Sequence, residues 1–283
     1  MSKSAGAKVA RIDVRKTYKL YVGGAFPRSE SGRAYPVHAP DGTLIAHAAQ
    51  ASRKDVRDAV VAARSAFGKW SSATAYNRGQ ILYRIAEMLE GRREQFASYT
   101  DEADVDATID RLVHYAGWAD KYAQVVGSTN PVAGPYFTFS LPEPTGVVGV
   151  IAPQEPSLLG LVSVLAPVIT TGNTAVVLAA QDHPLPAVSF AEVLATSDLP
   201  GGVVNLLTGF TDELAPWLAA HRDVNAIDLT GASTSARTTL QIAAADNVKR
   251  VLIPRSVDWS ADPGLTRLSA FVETKTVWHP IGV

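Results

Sequence analysis

A doubly wound α/β fold around a mostly parallel sheet is predicted by three features of this 283-residue sequence. Five short β-branched runs recur near 147–151, 174–178, 203–206, 225–229 and 249–253. Helix-length segments near 157–170, 185–196, 211–220 and 234–245 separate them. Strands that alternate with helices of this length return to one sheet running parallel, with helices on both faces. The third feature is composition: 47% hydrophobic and 19% charged residues supply a core and exclude a disordered chain. At about 100–200 residues per domain, the length allows one large or two modest domains.

The elements follow in order. The first twenty residues carry six basic side chains, one acid (Asp13) and no apolar stretch, so they do not read as a secretory signal. Residues 1–17 are expected to form a flexible basic tail. Residues 18–135 hold small strands and then helices. Turn dipeptides Gly23-Gly24, Ser31-Gly32 and Asp41-Gly42 divide short alternating runs. Ser52 stands as an N-cap with Asp55 three residues on, and Val56, Ala59, Val60, Ala63 and Phe67 follow at helical spacing. A second helix near 77–90 aligns Ile81, Leu82, Ile85 and Leu89. A third, over roughly 105–126, is predicted to turn Ile109, Leu112, Val113, Ala116 and Trp118 inward. Residues 136–150 read as extended segments, 151–253 as βα units, and 254–283 as irregular chain ending in the alternating strand 271–278.

Residues 156–181 carry no charge over 26 positions, enough to span a bilayer. Pro167 and the turn at 171–173 break the stretch, which reads better as a buried helix and then a buried strand. A soluble cytoplasmic protein is therefore expected, with no membrane contact.

Several chemistries are excluded. The net charge of -1 gives no pull toward nucleic acid. With no cysteine there is no disulfide, thiolate metal site or cysteine nucleophile. The six histidines show no spacing suited to a metal, and neither a Gly-x-Ser-x-Gly elbow nor a phosphate-cradling Gly-x4-Gly-Lys occurs. Lys249-Arg250 reads as a solvated strand entry.

An ordered set of segments resembles the aldehyde dehydrogenase superfamily. It comprises Tyr21-Val-Gly-Gly-Ala-Phe26, Ala66-Phe-Gly-Lys-Trp70 and Glu143-Pro-Thr-Gly-Val-Val-Gly-Val-Ile-Ala-Pro153. Gly172-Asn-Thr, Pro184-Leu-Pro-Ala, Leu199-Pro-Gly-Gly-Val-Val-Asn-Leu-Leu-Thr-Gly209, Asp228-Leu-Thr-Gly231 and Glu273-Thr-Lys-Thr-Val-Trp278 complete it. The resemblance implies the family's Rossmann-like cofactor domain with N-terminal helices and β oligomerisation arms. It also implies a missing part. Val251-Leu-Ile-Pro-Arg-Ser-Val257 stands where a Glu-Leu-Gly-Gly motif should lead into the domain bearing the nucleophilic cysteine. About ten residues later the terminal arm resumes, as though that domain were cut out and its flanks rejoined.

The family's chemistry needs a thiolate, an oxyanion-holding amide, a Glu base and a nicotinamide. The thiolate and the base have no counterpart here. Pro153-Gln-Glu-Pro156 stands at the oxyanion loop, with Glu155 near the amide position. An ionised carboxylate cannot donate there. No catalytic residue is expected in the chain. At the dinucleotide site, Ala179-Ala-Gln-Asp182 replaces the family's ribose-binding motif and keeps one carboxylate, Asp182. Thr211 and Ala215 match glycines of the family, and Leu229-Thr-Gly-Ala232 lacks the pyrophosphate-binding serine. Pro153, Gln154, Asp182, Gly209, Thr230, Gly231 and Ser233 are what the resemblance leaves as a vestigial NAD or NADP site, with Ser233 read foremost as a helix cap.

The expectation is a non-catalytic structural or regulatory subunit, assembling with itself or with a full-length aldehyde dehydrogenase through 136–150 and 267–280. Two rivals stand beside it: an NAD(P)-dependent oxidoreductase acting on aldehydes that borrows groups from a partner chain, and a nucleotide-sensing module.

Overall fold

A computed structural model describes Ile12, residues 14–254 and residues 256–282. The 1–17 tail lies for the most part outside the described residues. The first strand, β1 (Thr17–Tyr18), runs parallel to β3 (Leu44–Ala49), which pairs on its other side with antiparallel β2 (Ala34–His38). Four helices follow: α1 (Arg53–Ser71), α2 (Ala75–Glu90), the short α3 (Arg93–Ala97) and α4 (Glu102–Trp118). Then come α5 (Tyr122–Val126), β4 (Ser128–Asn130) and β5 (Tyr136–Pro144).

The βα series runs β6 (Val147–Ile151), α6 (Leu159–Thr170), β7 (Thr174–Leu178), α7 (Leu185–Ala195), β8 (Val204–Leu207), α8 (Thr211–Ala220), β9 (Ala226–Asp228), α9 (Thr234–Ala245) and β10 (Arg250–Leu252). A short helix, α10 (Thr266–Ala270), and a long strand, β11 (Val272–Pro280), end the chain.

Five strands form one fully parallel sheet in the order β10-β9-β6-β7-β8, so the winding direction reverses between β6 and β9. Alternation along the strands sorts two cores. Val148, Val150, Ala175 and Val177 face α2, α4, α6 and α7. Val147, Ile151, Val176 and Leu178 face α1, α8 and α9. Gly149 lets α8 approach closely, because a Cβ there would lie 3.0 Å from Leu218 Cγ. The uncharged stretch is a buried helix and strand, α6 and β7. Among the described residues no helix is long and apolar enough to cross a membrane.

Ser52 occupies the N-cap of α1, and the cap works through Asp55. The Asp55 carboxylate accepts from Ser52 N at 2.7 Å, from Ser29 Oγ at 2.8 Å and from Glu30 N at 3.0 Å. It thereby fastens the N-terminal loop to the helix start. Asp55→Ala orphans three donors at a 7%-exposed site, so it is expected to cost about 2–3 kcal/mol in urea denaturation, with the m-value unchanged.

Four expectations are corrected. The single helix over 105–126 is two, α4 and α5, and Asp101 caps α4 by accepting from Asp104 N at 2.7 Å. The buried stripe of α4 is Val105, Thr108, Leu112 and Tyr115, continued by Ala119 at its C-cap, because this face is sandwiched between α2 and α6, and Val113 is exposed. Residues 136–150 do not form one block: β5 joins β4 and β11 in an antiparallel sheet, whereas β6 is the middle strand of the parallel one. Lys249 is buried and not solvated, whereas Arg250 is exposed and binds Glu273 through two hydrogen bonds at 2.8 and 2.6 Å. That pair ties β10 to β11.

Candidate functional site

In an open parallel sheet, ligands bind beyond the carboxyl ends of the strands, where the winding reverses. The loops there are 152–158 after β6, 179–184 after β7, 208–210 after β8 and 229–233 after β9. All seven residues singled out from the sequence fall on these loops.

Most of them are spent on the protein's own backbone. Gln154 Oε1 accepts from Gln181 N at 2.9 Å, and Gln181 Oε1 accepts from Thr211 N at 3.2 Å. The first amide of α8 is thus held by a side chain from the neighbouring loop. Ser233 caps α9, its Oγ accepting from Ala236 N at 3.3 Å. The Asp104 carboxyl lies opposite the Leu159 amide at the start of α6, and burial holds it above the usual carboxylate range while that amide pulls the other way. At α7, Pro184 and Pro186 carry no N–H. At each helix N-terminus around this edge, ordinarily a ready anion site, at least one amide is therefore met by an oxygen of the chain or replaced by a proline nitrogen.

The glycines serve close packing. A Cβ on Gly231 would lie 2.0 Å from the carbonyl oxygen of Ala152, and Gly231 N donates to Ile151 O at 2.9 Å. Gly209 has φ +144°, and a Cβ there would lie 3.2 Å from Ala51 N. Pro153 is buried, and Gly160 packs against its ring. Asp182 is exposed on a cavity of about 430 Å³ shared with Tyr35, His38, Gln181, His183 and Phe210. Burial, and to a lesser extent Asp182, push the Tyr35 hydroxyl above its usual range.

A second cavity of about 500 Å³ shares His38 and His183 with the first and carries Asp101, Asp104 and Glu155. Among the described residues neither cavity is lined by a lysine or an arginine. Glu155, the residue at the oxyanion-loop position, is exposed and lies 3.2 Å from His183 Nε2. Among the described residues no three His, Asp or Glu side chains cluster as a metal site would require.

Sequence reasoning missed one cluster. Asp228, at the carboxyl end of β9, is fully buried, and its Oδ2 lies 2.5 Å from Arg267 Nη1. Thr230 N donates to Asp228 Oδ1 at 2.9 Å, the Thr230 hydroxyl bonds the same oxygen, and Arg267 Nη2 donates to Thr230 Oγ1 at 3.0 Å. Burial pushes the Asp228 carboxyl up, and the Arg267 guanidinium pulls it back. Thr230, assigned from the resemblance to a ligand, is thus a member of a buried charge cluster. Arg111 of α4 holds the same linker, donating to Trp259 O at 2.7 Å and to Ser163 Oγ of α6 at 3.1 Å. The signal was present: an acid between Ala226-Ile227 and Leu229 in a short predicted strand demands a buried partner.

The buried asparagines were also missed. Asn173 Oδ1 accepts from Gly146 N, and its Nδ2 donates to Phe271 O, both at 2.8 Å. Asn205 accepts from Gly23 N at 2.9 Å and donates to Gly202 O at 2.8 Å. Both are fully buried and bracket the sheet to its surroundings.

These loops and this sheet define a doubly wound dinucleotide-fold domain that carries no thiol nucleophile. The chain belongs to the aldehyde dehydrogenase family, whose model matches residues 26–254. It is 34% identical over 269 residues to the mitochondrial aldehyde dehydrogenase family 2 member B4 of Arabidopsis thaliana, covering 89% of this chain and 49% of that protein. It is 34% identical over 257 residues to retinal dehydrogenase 2 of Gallus gallus, covering 86% and 49%. The aldehyde dehydrogenase of Bacillus cereus, solved as an NAD+ complex, superposes with a TM-score of 0.78 at 28% identity, covering 83% of this chain and 50% of that one. The chain thus spans about half the length of these relatives.

Proposed function

We propose that this chain is a non-catalytic subunit of the aldehyde dehydrogenase family, structural or regulatory in role and acting in the cytoplasm. On this reading it assembles with itself or with a full-length family member through 136–144 and 267–280. The observation that carries the reading is the edge of the parallel sheet, where Gln154, Gln181 and Ser233 hold backbone donors that an anionic ligand would need.

The residues present do not fit a dinucleotide. A pyrophosphate would have to displace the Gln181–Thr211 bond, and Ala179 and Ala180 offer no cation in its place. A nicotinamide would meet no thiolate, since the chain has no cysteine. The segment after β10, where the resemblance puts the family's glutamate, is instead held to α4, Arg111 donating to Trp259 O at 2.7 Å and to Ala261 O at 3.3 Å. The sequence and the packing support one account, in which the scaffold is kept and the chemistry is absent.

Titration of the native protein with NADH, followed by its fluorescence, is expected to show no saturable binding in the micromolar range, and Asp182→Ala is expected to change nothing. Saturable binding lost in Asp182→Ala would overturn the reading in favour of a nucleotide-sensing module. Light scattering of the chain alone and co-expressed with a full-length family member is expected to show an assembly larger than the 30.0 kDa monomer in at least one case.

A further inference from the structure

We infer that β11 pairs edge to edge with β11 of a second copy of this chain, antiparallel about a twofold axis through Thr276. This rests on the assembly reading above and names its partner and register.

Among the described residues β11 is an edge strand, paired only with β5, in an unbroken register from Val272↔Pro144 to Pro280↔Tyr136. Two flanking bonds set which backbone groups remain free. Thr145 N donates to Phe271 O at 3.2 Å, and Ile281 N donates to Pro135 O at 2.8 Å. Residues 271 and 281 are thus in hydrogen-bonded pairs with β5, and in an antiparallel ladder such pairs alternate. The odd-numbered residues of β11 spend their N–H and C=O on β5. The even-numbered residues Val272, Thr274, Thr276 and Trp278 point theirs outward. Pro142 and Pro144, which have no N–H, fall opposite the even residues, where none is needed.

The open edge is therefore nine residues long, unbulged, and carries a proline only at its last position. An edge of that kind is a template for another strand. For two copies of one strand around a twofold axis perpendicular to the sheet, the sum of opposing residue numbers is constant. Centring on Thr276 sets Thr276 against Thr276 of the partner subunit, Thr274 against Trp278, and Val272 against Pro280, using the whole strand. Glu273 then faces His279 and Lys275 faces Val277, so no like charges oppose.

Centring one residue earlier sets Lys275 directly against its own copy. Centring one later shortens the ladder and sets Lys275 against His279. Length and charge therefore select the Thr276 register. The result is a continuous six-stranded sheet, in which each copy's three-stranded sheet is half. Phe137, Phe139, Leu141 and Val277, all on one face, form a single apolar stripe across it.

The chain has no cysteine, so an introduced one reports only on itself. In this register the two copies of residue 276 sit about 5.5 Å apart at Cα, inside the window of about 4.4–6.8 Å that a disulfide spans. Thr276→Cys under mild oxidation is expected to give a covalent dimer as the main species, and Lys275→Cys is expected to give less than a tenth as much. Thr274→Pro removes an outward N–H and leaves the β5 ladder intact. It is expected to convert a species of twice the 30.0 kDa chain mass into monomer with unchanged circular dichroism.

An assembly that survives Thr274→Pro and does not crosslink at 276 overturns this interface and leaves the assembly reading standing. Crosslinking at 275 and not at 276 overturns the register. A chain that stays monomeric, alone and with a family member, overturns both.

Discussion

Arg267→Ala is expected to destabilise the protein by about 3–5 kcal/mol, the scale for stripping one partner from a buried ion pair. The pair qualifies because the Asp228 side chain is 0% and the Arg267 side chain 10% exposed. Removing the guanidinium leaves a carboxylate at the end of β9 with only Thr230 to answer it. The sign with pH follows from the direction in which Asp228 is displaced. Burial raises its folded-state pKa above the unfolded value, so the protonated form is the one that folding favours, and stability falls as pH rises through the raised pKa. Loss of Arg267 raises that pKa further. The gap between wild type and variant should therefore widen with rising pH and narrow on acidification, as read from urea midpoints. A gap that is flat with pH would mean that the loss comes from packing of the linker and not from the charge. Asp228→Asn combined with Arg267→Met should cost less than the two single changes summed, since neither charge is then left alone.

Trp70→Ala is expected to cost about 3–5 kcal/mol, the range for removing a large aromatic from a close-packed core. Trp70 is 1% exposed, and its Nε1 donates to Ile169 O at 3.1 Å, joining the end of α1 to the end of α6. Truncation opens a cavity and also takes one donor from the Ile169 carbonyl, which keeps Gly172 N at 3.1 Å. Trp70→Phe restores most of the volume without the donor, so it should recover the larger part of the loss. Thermal unfolding followed by circular dichroism would rank the two variants; equal losses would mean that the hydrogen bond, not the volume, is what matters there.

Much of the fold was legible because its determinants are local. Strands β6 and β7 and helices α8 and α9 lie where periodicity put them, since a β-branched run or a helical stripe announces itself within about ten residues. The capping of α9 by Ser233 was readable for the same reason. The break between α4 and α5 was not, because Ala119 and Lys121 carry no helix-stopping chemistry, and the packing of α4 between α2 and α6 decides which face is buried.

The site was legible in its losses more than in its contents. Alanines at 179 and 180 and the missing cysteine are visible in one dimension. That Gln154, Gln181 and Thr211 form a chain of hydrogen bonds is not, for those residues stand far apart in sequence and meet only because β6, β7 and β8 are neighbours.

The sequence by itself determined the α/β class, the family and the absence of a thiol, because composition and short-range order suffice for each. Only the tertiary structure decided that β5 lies between β4 and β11 in a second, antiparallel sheet. The same is true of the Asp228–Arg267 pair that fastens the C-terminal segment and of the outward edge of β11. Each depends on which distant segments pack together. A buried charge finds its partner across 39 residues, and a strand edge is open or closed by a neighbour, through contacts that no local pattern encodes.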